Sequence, residues 1–177
     1  MKTLYIHGLD SSPNIEKMDI MKEAGLETFA LHIDYRQQAD PYNMLKLEAI
    51  EKGVEFLVGS SLGGYFAHWL AEDLGLPCLL LNPAMTIDRT LPLAISGIDQ
   101  RDCPLRYVAI GAKDEIISPE LNLDFFKQAK QNNCKQRVIT CDWLYHVIDL
   151  ESFATLLDWA LSGIQNKGRF PIFEQAK

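Results

Sequence analysis

Positive charge is in short supply: 17 lysines and arginines face 24 aspartates and glutamates, a net charge of −7 over 177 residues. Phosphate recognition requires a basic face, so nucleic-acid binding is not expected as the main task. Long apolar runs are missing too. No window reaches the roughly 20 apolar residues of a membrane-crossing helix, so no membrane partner is expected. The opening residues Met1-Lys2-Thr3-Leu4-Tyr5-Ile6-His7 turn polar too soon for a secretory signal and read as a first strand. The four cysteines, at 78, 103, 134 and 141, include no CxxC pair. Their spacing matches no zinc ligand set, so no metal is expected, and the serine chemistry read below requires no cofactor. Cys78 and Cys141 fall in apolar runs, as buried thiols do, and a reduced, cytoplasmic compartment is the expectation. Repeats, low-complexity stretches and linkers are lacking. The length suits one domain, 1–177, with a C-terminal tail over 163–177.

What is present is an alternation. Short apolar runs at Thr3–His7, Thr28–Ile33, Phe56–Gly59, Cys78–Asn82, Arg106–Gly111 and Gln136–Cys141 read as strands buried on both faces of a parallel sheet. Helical patterns lie between them. Ser12-Pro13 reads as an N-cap with proline at the first helical position, followed by a stripe of Ile15, Met18 and Met21. Pro41 opens a helix with Tyr42, Leu45 and Ala49 inward, and Pro119 opens one with Leu121, Phe125 and Ala129 on a face. The last helix carries Phe153, Leu156, Leu157, Ala160 and Leu161 at 3.6-residue spacing. Strand–helix alternation of this kind predicts an α/β fold with right-handed crossovers. The long connection from Pro83 to Pro104 is either a small lid or a surface excursion, and Phe170, Ile172 and Phe173 are expected to dock the tail.

One stretch stands out. Gly59-Ser60-Ser61-Leu62-Gly63-Gly64 follows the strand-like Phe56-Leu57-Val58 and precedes a helical run from Tyr65 to Leu74. Strand, glycine-bounded turn and helix make a nucleophile elbow, G-x-S-x-G, which lifts the central hydroxyl above the sheet. Gly59 and Gly63 flank Ser61 symmetrically, and Ser60 lacks that symmetry. A serine nucleophile needs a base, and the base needs an orienting group. In this arrangement the acid and then the histidine follow the serine along the chain. Asp114 lies just past the strand at Arg106–Gly111, with Glu115 its near rival. Of the four histidines, only His146 comes after the acid and beyond the last strand, with Asp142 four residues before it as an alternative orienting carboxylate. The oxyanion donors are expected to be the amide of Leu62, at a helix N-terminus, and the amide of Leu9, in the loop after the first strand. His7 then buttresses that loop and is not a base.

Together His7-Gly8-Leu9 with Ser11-Ser12-Pro13, the Gly59–Tyr65 elbow, Leu81-Asn82-Pro83-Ala84, and the late Asp114 and His146 resemble the small bacterial α/β-hydrolases of the YqiA-like esterase family over nearly the whole chain. The resemblance implies an α/β-hydrolase fold with a sheet of about six strands and little or no cap. It implies a Ser–Asp–His triad acting on short acyl esters or thioesters. The chain departs from such relatives in placing Trp143-Leu144-Tyr145 directly before the histidine. The expected function is carboxylic-ester hydrolysis of a small-molecule substrate. An acyl-CoA thioesterase, or a non-catalytic protein-binding module on the same fold, are the alternatives.

Overall fold

Strand and helix alternate in the computed structural model, which describes residues 1–86, 95, 105–129 and 135–165. The elements are β1 (Lys2–Ile6), α1 (Ile15–Glu23), β2 (Glu27–Ala30), α2 (Pro41–Lys52), β3 (Phe56–Ser60), α3 (Leu62–Leu74), β4 (Cys78–Leu81), β5 (Arg106–Lys113), α4 (Pro119–Ala129), β6 (Gln136–Tyr145) and α5 (Leu150–Gln165). The six strands form one sheet, ordered β2-β1-β3-β4-β5-β6, with every neighbouring pair parallel.

The sheet is buried on both faces, and the period-2 alternation of the strands divides its side chains between two cores. Leu4, Leu57, Leu80 and Val108 face one core, to which α2, α3 and α4 contribute Tyr42, Phe66 and Phe126. Tyr5, Val58, Leu79 and Tyr107 face the other, closed by Met21 of α1 and by Phe153, Leu157 and Ala160 of α5. The inward stripes expected for α2 and α5 are the ones observed.

Three local expectations are corrected. α1 is capped by Asn14, whose side chain accepts from the Lys17 amide at 2.8 Å, and not by Ser12 with Pro13 in the first turn. Asparagine competes well for this position. Ile15 becomes the first helical residue and is 73% exposed. In α4 the buried pair is Asn122 and Phe126, one residue on from the expected face, and Leu121 is exposed. β2 stops at Ala30, because the Ile33 amide is taken by the His7 ring and the chain leaves the ladder. The candidate lid over 83–104, apart from Pro83–Thr86 and Ile95, and the tail aromatics Phe170 and Phe173 with Ile172 lie outside the described residues.

The chain runs from β1 outward to β2, then returns across β1 to place β3 on its other side. The helices that follow β1 and β3 therefore pack on opposite faces of the sheet, which makes the carboxyl ends of these strands a topological switch point. In open parallel sheets ligands bind at such a switch point.

Candidate active site

The loop after β3 holds Ser61 in a strained conformation. Its φ is 54° and ψ −121°, although it is not glycine. A non-glycine residue in such a region costs on the order of 1–3 kcal/mol and persists only where its surroundings fix it. Here they do. The Ser61 amide donates to the Leu81 carbonyl of β4 at 3.0 Å, and the Ser61 carbonyl accepts from Tyr65 and Ala84 at 3.1 and 3.0 Å. Close packing closes the elbow from below. A Cβ on Gly63 would stand 2.1 Å from the Ile6 carbonyl oxygen, and one on Gly59 2.3 Å from that of Gly63. The two glycines flanking Ser61 thus let α3 settle against the sheet.

Ser61 is the N-cap of α3, but its side chain makes no capping hydrogen bond. The first amides of a helix lack intrahelical acceptors. Among the described residues neither Leu62 nor Leu9 has a hydrogen-bond partner for its backbone N–H. Leu62 directly follows the serine, and Leu9 follows Gly8 in the loop after β1. The β1 loop comes close: a Cβ on Gly8 would lie 3.2 Å from Ser61 Cβ and 3.7 Å from Ser61 Oγ.

His7 anchors that loop. Its Nε2 accepts from the Ile33 amide at 3.1 Å, so in the neutral ring the proton sits on Nδ1, which donates to the Gly8 carbonyl at 2.8 Å. A protonated ring could not accept from Ile33. Burial correspondingly pushes the His7 pKa down, opposed by the bond to Gly8 and assisted by the neighbouring His32. With both nitrogens committed to backbone, His7 is a buttress. Asp10, just beyond Leu9, also sits at positive φ, 53°, and its carboxylate receives the Arg36 guanidinium through two contacts. His68, on α3, is buried against Trp69, Phe125 and Phe126.

On the far side of β4 stands the second cluster. The Asp114 carboxylate accepts at Oδ1 from the amides of Ile116 and Ile117, at 2.9 and 2.8 Å. Both its oxygens meet His146 Nδ1, at 3.0 and 2.9 Å. Among the described residues His146 Nε2 has no hydrogen-bond partner. Asp114 makes this contact, and neither Glu115 nor Asp142 does. Among the described residues Ser61 Oγ is not hydrogen-bonded to His146. β6 runs on through Trp143-Leu144-Tyr145 to the threshold of the histidine, four residues past the Gln136–Cys141 expected. Its pairing with β5 slips on the way, from Gly111↔Cys141 to Lys113↔Tyr145.

Other chemistry is poorly supplied. Cys78 and Cys141 are buried and free, and burial pushes their thiols up to about 12 and about 11. Among the described residues no three His, Cys, Asp or Glu side chains gather as a metal ion requires. No helix among them is long and apolar enough to cross a membrane. One residue escaped sequence reasoning. Asn82 is fully buried, sits at positive φ and spends its whole amide group on backbone of β5 and the His146 loop.

A family model described as an uncharacterised protein family, UPF0227, matches residues 2–135. Among solved structures, a Xanthomonas campestris pv. campestris protein assigned to the alpha/beta superfamily of hydrolases is 19% identical with a TM-score of 0.60, covering 89% of this chain and 98% of its own. The monoacylglycerol lipase of Paleococcus ferrophilus is 15% identical with a TM-score of 0.72, covering 91% and 94%. The fluorophosphonate-binding serine hydrolase F of Staphylococcus aureus is 15% identical with a TM-score of 0.63, covering 91% and 82%. At these identities the likeness establishes the α/β-hydrolase fold.

Proposed function

The chain belongs to the family UPF0227, and from that premise and the site geometry we propose that it is a serine hydrolase of carboxylic esters with short acyl chains. The observation that carries this reading is the Asp114–His146 pair, set at the same carboxyl end of the sheet as a strained serine, with the Leu62 and Leu9 amides unpartnered among the described residues.

The reaction runs in two halves. Ser61 Oγ attacks the acyl carbon while His146 Nε2 takes its proton. Asp114 holds the imidazolium that forms. The developing oxyanion is bound by the Leu62 and Leu9 amides, each worth about 2.7–4 kcal/mol of transition-state stabilisation. The α3 dipole adds to the first. His146 passes its proton to the leaving alcohol, and the acyl group remains on Ser61. Water, deprotonated by His146, then attacks the acyl-enzyme; the acid leaves and Ser61 recovers its proton. One water is consumed, and no cofactor takes part. A thioester would react by the same steps.

Hydrolysis of nitrophenyl esters of increasing chain length by the purified protein is the test. Turnover highest on the shortest chains is expected. Absence of turnover across the whole series overturns the reading, and a preference for long chains overturns its substrate class.

A further inference from the structure

We propose that Asn82 is the positioning residue of the site, its side-chain amide standing in for a peptide unit where the β5–β6 ladder breaks. This rests on the serine-hydrolase reading above. Between Gly111↔Cys141 and Lys113↔Tyr145, β5 advances two residues and β6 four. Ladder pairing lapses there, and buried backbone groups need other partners. Asn82 reaches across from the end of β4 to supply them. Its Oδ1 accepts from the Gly111 amide at 2.7 Å, and its Nδ2 donates to the carbonyls of Tyr145 at 2.8 Å and His146 at 3.4 Å. The orientation of the amide is fixed by chemistry, since an N–H must meet an acceptor and two carbonyls must meet donors.

The consequence reaches the proposed acid and base together. The Gly111 carbonyl accepts from the Asp114 amide at 3.2 Å, so Asn82 pins the start of the turn that presents Asp114. Its other end pins the main chain of His146. Its neighbours hold the nucleophile: Leu81 accepts from the Ser61 amide, and Ala84 donates to the Ser61 carbonyl. Leu81, Asn82 and Ala84 thus touch the backbone of Ser61 and His146 and, through Gly111, fix the turn that carries Asp114. Tight packing at the bulge gives the device little slack, for a Cβ on Gly111 would lie 2.4 Å from the Leu144 carbonyl oxygen and 3.2 Å from Asn82 Oδ1. Leucine could make none of these bonds, and an ionised aspartate would set a charge against two carbonyls. Asparagine also tolerates its φ of 44°.

The test uses Asn82→Gly, which keeps the backbone free to adopt positive φ and removes the amide. Folding is followed by circular dichroism. We expect kcat on a nitrophenyl ester to fall about 10²-fold with KM within about twofold, because misplacement of a catalytic group acts on the chemical step. The downfield proton resonance of His146 Nδ1–H in its bond to Asp114 should shift or broaden away. A kcat within about threefold of the parent, or an unmoved downfield proton, overturns the proposal. Asn82→Asp supplies the second arm and decides the matter should the glycine variant not fold. Its carboxyl, raised by burial, can donate and accept while protonated but not once ionised. Its activity relative to the parent at the same pH should therefore be highest at low pH and fall as pH rises; a ratio to the parent that does not change with pH overturns the proposal. Failure of a fluorophosphonate to label the parent enzyme would instead remove the serine-hydrolase reading, and the downfield proton would still report whether Asn82 holds the pair.

Discussion

The two halves of the candidate site, on either side of β4, are built by different means. Around Ser61, geometry is enforced by contact: a strained serine, glycines on which no Cβ fits, and a helix beginning one residue later. Everything needed lies within a few residues of sequence, with the β1 loop pressed alongside. Around Asp114 and His146, geometry is enforced by hydrogen bonds between segments 32 residues apart, across a ladder that has lost its register and is bridged by an amide from β4. Steric enforcement is rigid and local. Enforcement by a polar network depends on every partner being satisfied.

The largest test of that contrast is chemical. Ser61→Ala should remove ester hydrolysis, a loss on the order of 10⁶ in kcat if Ser61 is a triad nucleophile, with the fold intact by circular dichroism. Ser60→Ala should retain it. Asp114→Asn should cost about 10⁴ in kcat, through loss of the tautomer that leaves His146 Nε2 unprotonated. Steady-state kinetics checks both. Near-normal turnover in the asparagine variant would transfer the orienting role to another carboxylate, with Asp142 the first to examine.

Stability separates the two sides next. Gly63→Ala drives a Cβ to 2.1 Å from the Ile6 carbonyl, backbone against backbone with nothing flexible to yield. Urea unfolding should show a loss of about 3 kcal/mol or more. Gly25→Ala, at φ 81° with no atom within 4 Å, meets only backbone strain and should cost about 1 kcal/mol. Equal losses at the two positions would refute steric closure of the elbow.

The smallest expected effect is on pH. Burial first, and then the Arg106 charge, holds His68 well below the ordinary 6.5, and burial lowers His7 as well. Unfolded, both rings bind protons in a range where the folded protein refuses them. The unfolded state then carries the larger number of bound protons, so stability rises with pH below about 6.5. Melting temperature should drop between about pH 7 and pH 5, and His68→Leu should flatten that slope. A slope unchanged by the substitution would show that His68 is not a source of it.

What could be read in advance follows the same division. The strand–helix alternation is legible because strands buried on both faces must be apolar throughout, as Leu79-Leu80-Leu81 and Val108-Ala109-Ile110 are. The elbow is legible because its constraints are covalently near. The cap of α1 is not legible in the sequence, because Ser12-Pro13 and Asn14 offer competing signals two residues apart. The extension of β6 to Tyr145 and its slip against β5 have no local signature; they arise from pairing with a distant strand. Asn82 could be seen only as part of a resemblance. A single buried asparagine says nothing until the carbonyls it serves, 63 and 64 residues away, are beside it. The family match itself ends at residue 135, short of β6 and His146.

The central claim is that Ser61 is a nucleophile activated by His146. Treating the protein with a fluorophosphonate and mapping the modified peptide by mass spectrometry tests it most directly. A single adduct on Ser61 is expected, formed rapidly by the parent and very slowly by His146→Ala. An adduct on Ser60, no adduct at all, or labelling of His146→Ala at the parental rate would contradict it.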